Sequence, residues 1–75
     1  MRLVLVTRQG CHLCDEALAL LRELGQEPEL ADVDQDDRLH DLYDWRVPVI
    51  LADGRVIAEG NIKREVLARA LGWRQ

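Results

Sequence analysis

Leu3-Val4-Leu5-Val6 is a run of four aliphatic residues with no polar residue between them. A strand with one wet face alternates apolar and polar residues, so an unbroken run reads as a strand buried on both faces. Such a strand needs a covering layer on each side. With 75 residues the chain can hold one domain and no more. Residues 1–75 are therefore expected to form one α/β domain. The hydrophobic share of 48% suits a globular core and argues against disorder despite 32% charged residues. Phe is absent, so aliphatic residues with Tyr43, Trp45 and Trp73 must fill that core.

After a loop at Thr7-Arg8-Gln9-Gly10, apolar residues recur at helical spacing from Cys11 to Leu24: Leu13, Cys14, Ala17, Leu18, Leu21 and Leu24. Asp15, Glu16, Arg22 and Glu23 fall mostly on the opposite side. Asp15 and Glu16 occupy the first turn, where the helix dipole favours acids, and Gly25 supplies the stop. Glu29 to Val33 reads as a second, weaker strand. Asp34 to Tyr43 reads as a short helix, capped by Asp34 or Asp36, with Leu39, Leu42 and Tyr43 on its apolar side. Val47-Pro48-Val49-Ile50-Leu51 is a third strand, Asp53-Gly54 a tight turn, and Arg55 to Ala58 a fourth strand. Gly60-Asn61 opens a last helix, Ile62 to Leu71, whose apolar side is Ile62, Val66, Leu67, Ala70 and Leu71. The order is β-α-β-α-β-β-α. The first unit should be a right-handed parallel crossover and the last two strands a hairpin, which gives a mixed four-stranded sheet with helices on both faces.

The two cysteines, Cys11 and Cys14, are spaced C-x-x-C. A structural disulfide closing so small a loop contributes little by chain entropy, and a reducing cytosol would not preserve it. The pair is therefore expected to serve reactivity or metal binding. Thiolates, not thiols, attack disulfides. Cys11 falls at the start of the first helix, where unpaired backbone N–H groups and the positive dipole end favour an anion. Cys14 lies about one turn on, on the apolar side. The expected arrangement is an exposed attacker and a shielded resolver. Arg8 adds positive charge nearby, and His12 adds more when protonated or donates a hydrogen bond to the Cys11 sulfur. Asp15 and Glu16 oppose this, because nearby carboxylates raise a thiol pKa. Position after a buried strand and at a helix start favours redox chemistry over two inert buried cysteines. Pro48 at the opening of a strand removes only one ladder donor. The spacing leaves the isomer of the Val47–Pro48 bond open, since cis X-Pro bonds are uncommon.

Cys11-His12-Leu13-Cys14-Asp15-Glu16-Ala17, followed by Arg46-Val47-Pro48-Val49-Ile50, resembles the glutaredoxin-like proteins of the thioredoxin superfamily. The match is with the small bacterial group carrying C-H-L-C, often called DUF836, and it covers nearly the whole chain. The resemblance implies a thioredoxin-like fold and a thiol–disulfide oxidoreductase. Cys11 would be the nucleophile and Cys14 the resolving thiol, Pro48 would be cis, and the Val47 backbone would pair with a bound peptide or glutathione. Arg8 matches a basic residue that contacts glutathione in glutaredoxins. The chain departs from the usual glutaredoxin pattern. His12-Leu13 stands where Pro-Tyr is typical, Arg46 stands where Thr precedes Val-Pro, and Glu59-Gly60-Asn61 replaces a Gly-Gly with a nearby Asp. Asn61, at the expected helix start, is then the candidate for receiving a carboxylate. No bound cofactor is implied. Glutathione is the candidate co-substrate, and the length also resembles reductants that draw electrons from thioredoxin reductase.

Other partners are disfavoured. A net charge of −4 repels nucleic acid and offers no polybasic patch to a membrane. No apolar run approaches the roughly 20 residues of a spanning helix. The start lacks the long apolar stretch and cleavage site of a secretory signal, so a cytosolic monomer is expected. Cys11, His12 and Cys14 are too close in sequence for a tetrahedral zinc site, and His40 reads as a solvated surface residue. Asp32, Asp34, Asp36 and Asp37 read as a solvated, capping junction. Tyr43 and Trp45 are expected to pack the loop near the redox pair, with substrate contact as the alternative. Trp73 is expected to anchor the C-terminus. The rival function is a thioredoxin-fold binding module that uses the Val-Pro groove, with its cysteines idle or holding a metal.

Overall fold

The computed structural model describes residues 1–72. Trp73, expected as a packing anchor, lies outside the described residues. The elements are β1 (Leu3–Thr7), α1 (His12–Glu23), β2 (Glu29–Asp32), a 3₁₀ turn (Val33–Gln35), α2 (Asp37–Tyr43), β3 (Val49–Ala52), β4 (Arg55–Glu59) and α3 (Arg64–Ala70). They form a four-stranded sheet in the order β2-β1-β3-β4. β1 runs parallel to β2 and antiparallel to β3, and β3 and β4 form an antiparallel hairpin.

β1 sits in the interior of the sheet and is covered on both faces, as its unbroken aliphatic run demands. Leu3 and Leu5 point to one side, where Ala17 and Leu21 of α1, Leu24 just after it, Leu67 of α3 and Ile50 of β3 complete a buried cluster. Val6 points to the other side and packs with Val33 and Val49, flanked by Val4, Leu39, Tyr43, Val47 and Leu51. The alternation within β1 and β3 thus serves two cores.

Local chemistry sets the boundaries. Gly25 ends α1 at φ 75°. Its N–H donates to the Arg22 carbonyl, and the Gln26 N–H reaches the Leu21 carbonyl at 2.8 Å. This paired cap needs a left-handed residue that glycine supplies without strain. Asp53 and Gly54 both take positive φ, 50° and 83°, the backbone of a two-residue hairpin turn. That turn is tied to β1, for Asp53 donates its N–H to the Arg2 carbonyl and accepts the Arg2 N–H on its carboxylate.

The acidic junction after β2 caps twice. Asp32 accepts the Asp34 N–H at 2.8 Å, which ends the strand one residue before Val33 and starts the 3₁₀ turn. Asp36 accepts the Leu39 N–H at 3.0 Å and caps α2, an interaction that typically stabilises a helix by about 1 kcal/mol. The second helix therefore begins at Asp37, not Asp34. The last helix also begins later than the pattern predicts, at Arg64. Asn61 lies in the bend before it, so the expected helix start at Asn61 is corrected. Val66, expected on the buried side, is exposed, and Leu67 is the residue of α3 that is fully buried.

Candidate active site

Sheet register gathers the site at one edge. Val6 stands opposite Val49, Thr7 beside Asp32, and Val49 opposite Glu59. The end of β1, the end of β2, the start of β3 and the end of β4 therefore meet where the chain leaves β1 for α1.

The loop from β1 closes with the Cys11 N–H on the Arg8 carbonyl at 3.3 Å. Cys11 then adopts extended dihedrals, φ −87° and ψ 105°, and serves as N-cap of α1. Its carbonyl accepts the Asp15 N–H at 3.1 Å, and its Sγ accepts the Cys14 N–H at 3.1 Å. The sulfur thus occupies the position where Ser or Asp oxygens usually cap a helix. Cys11 and Cys14 are joined as a disulfide, with Cα atoms 5.2 Å apart. Cys11 is half-buried, whereas Cys14 is 1% exposed. Only one of the two sulfurs is therefore open to an approaching molecule. When the bond is reduced, a Cys11 thiolate would face an N–H donor and the positive end of a 12-residue helix, both of which favour the anion.

His12 is exposed, and its Nε2 lies 3.7 Å from a carboxylate oxygen of Glu16 one turn along. Val47–Pro48 is a cis peptide bond. The Pro48 ring is buried, and its carbonyl accepts the Gly60 N–H at 2.9 Å. Among the described residues the Val47 N–H and C=O have no backbone partner.

Arg8 is turned inward. Its Nε and Nη2 each donate to Asp34 at 2.8 Å. Nη1 donates to the Asp44 carbonyl at 3.1 Å, and Nη2 also bonds the Asp44 carboxylate. The guanidinium clamps the loop before Cys11 to the 3₁₀ turn and to the segment leading to Pro48. Two carboxylates around one cation leave no net positive charge there, unlike the expectation that Arg8 acts on the sulfur. Asp34, His40 and Asp44 bring ligand atoms within 4.8 Å of one another, and Arg8 bonds both of these carboxylates. Arg46, the residue before Val47, makes two bonds to Glu59 at 2.7 and 2.9 Å and lies over the Tyr43 ring, 5.2 Å from its centre. Trp45 does not pack the loop as expected. It is 93% exposed, whereas Tyr43 packs against the second core.

Asp34, Asp44 and Glu59 are the site residues the sequence reading missed as such. The acids near Asp34 were visible as a cluster, but their spacing carries no sign that Arg8 is their partner. The Arg8 hydrogen bonds hold the Asp34 carboxyl below the usual carboxylate range, against the opposing effect of desolvation. A group whose folded pKa is depressed stabilises the fold fully above its unfolded pKa and loses that contribution as pH falls through the folded value. Asp34→Asn is accordingly expected to lower the melting temperature at neutral pH. The gap to wild type should narrow as pH falls below about 4, where an unshifted Asp carboxyl protonates. Thermal unfolding across that range checks it, and a gap constant with pH would rule out the ion pair as its source.

Comparisons with known proteins agree with the geometry. The model of the glutaredoxin-like domain family (DUF836) matches residues 2–72. An X-ray structure of a structural genomics target protein from X. campestris superposes with a TM-score of 0.80 at 30% identity, over 93% of this chain and 95% of that one. A solution NMR structure of a protein from Nitrosomonas europaea gives 0.78 at 34% identity, over 91% of this chain and 87% of that one. No curated protein matches the chain. Among the described residues no helix is long and apolar enough to cross a membrane. With its sheet order, its helices on both faces and a cysteine pair at the head of α1, the chain belongs to the glutaredoxin-like (DUF836) family of thioredoxin-fold proteins.

Proposed function

We propose that the protein is a dithiol oxidoreductase that reduces disulfides in polypeptides or mixed disulfides with glutathione. The observation that carries this reading is the helix-capping Cys11 sulfur, which receives the Cys14 N–H while Cys14 itself lies buried behind it. The Cys11 thiolate attacks one sulfur of the substrate disulfide. A new S–S bond forms, the substrate bond breaks, and the released thiolate takes up a proton from water. Cys14 then loses its proton and attacks Cys11 Sγ. The second substrate sulfur leaves as a thiol, and the Cys11–Cys14 disulfide remains. Two electrons have passed to the substrate, which ends as two thiols.

Regeneration returns those two electrons from an external thiol. Two molecules of glutathione, or the dithiol of a thioredoxin reductase, are the donor classes that fit. The protein's own groups suffice for the exchange without a bound cofactor, and a reducing compartment such as the cytosol would keep it supplied. The expected result is reduction of insulin disulfides by the purified protein when either glutathione with its reductase or thioredoxin reductase with its nicotinamide donor is present. One coupling should exceed the other severalfold and so identify the donor. A protein that stays oxidised with both, and turns over no disulfide, would overturn the reading.

A further inference from the structure

The exposed indole of Trp45 has no role in the exchange chemistry, yet its surroundings are rigid. On one side the Asp44 N–H donates to the His40 carbonyl at 3.1 Å, and the Asp44 carbonyl and carboxylate are both held by Arg8. On the other side the Arg46 N–H donates to the Tyr43 carbonyl at 2.9 Å, and the Arg46 guanidinium is held by Glu59. The backbone is fixed before and after Trp45, while the ring itself is 93% exposed. A flexible surface tryptophan is unremarkable as a scattered apolar residue. One held out from a pinned backbone, two residues before the unpaired Val47 amide and on the segment that Arg8 ties to the Cys11 loop, is organised as an anchor. Its side recess carries Leu42, also half exposed, between the polar groups of His40, Asp41 and Asp44.

The two arginines that flank the Cys11 loop and Val47 offer no free charge to a small anionic substrate. Recognition of a free tripeptide such as glutathione depends on cations for its carboxylates. Arg8 and Arg46 are both committed to internal carboxylates. A polypeptide segment needs neither of them. It can pair its backbone with Val47 and lay an apolar side chain on a ring of the type that dominates binding hot spots.

We propose that Trp45 is a specificity-determining contact for polypeptide disulfides, covering an apolar side chain that flanks the substrate cystine. The proposal rests on the oxidoreductase reading and names the substrate class within it. Trp45 does not touch the reacting sulfurs, so its effect falls on substrate selection and not on the exchange step.

The experiment compares Trp45→Ala with wild type on insulin, on a glutathione mixed disulfide and on hydroxyethyl disulfide, with equal melting temperatures showing that both are folded. The expected result is a fall of about tenfold in the ratio of kcat/KM for insulin to kcat/KM for hydroxyethyl disulfide, carried mainly by KM. Trp45→Phe should recover most of it. An unchanged ratio, or an equal loss on insulin and on the glutathione mixed disulfide, overturns the proposal. Wild type inactive on all three substrates would instead bring down the oxidoreductase reading, and this inference with it.

Discussion

Serine in place of Cys11 is expected to reduce disulfide turnover by on the order of a thousandfold or more, since a neutral hydroxyl cannot replace an ionisable thiol as nucleophile. The Cys14→Ser variant should behave differently. It keeps the helix-capping sulfur and the backbone N–H of residue 14 that points at it, so the first exchange proceeds and then stalls. The product is a mixed disulfide between Cys11 and one half of the substrate, visible as a mass adduct that survives until an external thiol releases it. The asymmetry follows from exposure. Cys14, 1% exposed, is shielded from an outside disulfide. An adduct on Cys14 in the Cys11→Ser variant, or none in the Cys14→Ser variant, would reverse the assigned roles.

The parts of the structure that were readable in the sequence are those fixed by local rules. The aliphatic run of β1 implied burial on two faces, and Val6 and Leu5 indeed enter different cores. Gly25 and Asp53-Gly54 marked a helix end and a hairpin because few other residues accept positive φ there. The helix starts were less readable. Four acids between Asp32 and Asp37 are all competent caps, and the local sequence does not say that Asp36 is the one that caps α2. The start of α3 has no side-chain cap at all, so local sequence could not locate it. At the site, the cysteine spacing and its place at a helix head were legible. The use of Arg8 as a clamp was not, because its partners lie 26 and 36 residues away and no periodicity links them. The exposure of Trp45 is not legible in the sequence for a related reason. Whether a tryptophan faces core or solvent in a loop depends on how its neighbours are tied, and those ties are tertiary.

The same helix that carries the redox pair is also the main brace of the fold, so Leu21→Ala is expected to have the largest effect on stability. Leu21 is fully buried among Leu3, Leu5, Leu24, Ile50 and Leu67, the residues that join α1 to the sheet and to α3. Truncating a buried leucine costs about 2–5 kcal/mol through lost transfer energy and the cavity left behind. A chain of this length has only about 4–11 kcal/mol in total. At about 4–8 °C per kcal/mol for a domain of this size, a loss near 3 kcal/mol lowers the melting temperature by about 12–24 °C. The Leu21 carbonyl still accepts the Gln26 N–H in the variant, so the helix end is kept and the change reports packing alone. Leu30→Ala is the matched control. Leu30 is 56% exposed on the edge strand β2, and its truncation should stay within about 0.5 kcal/mol. Thermal unfolding by circular dichroism, with both variants fully oxidised so that the Cys11–Cys14 link is the same, separates the two. Similar melting temperatures for Leu21→Ala and Leu30→Ala would mean that α1 does not brace the sheet through this cluster.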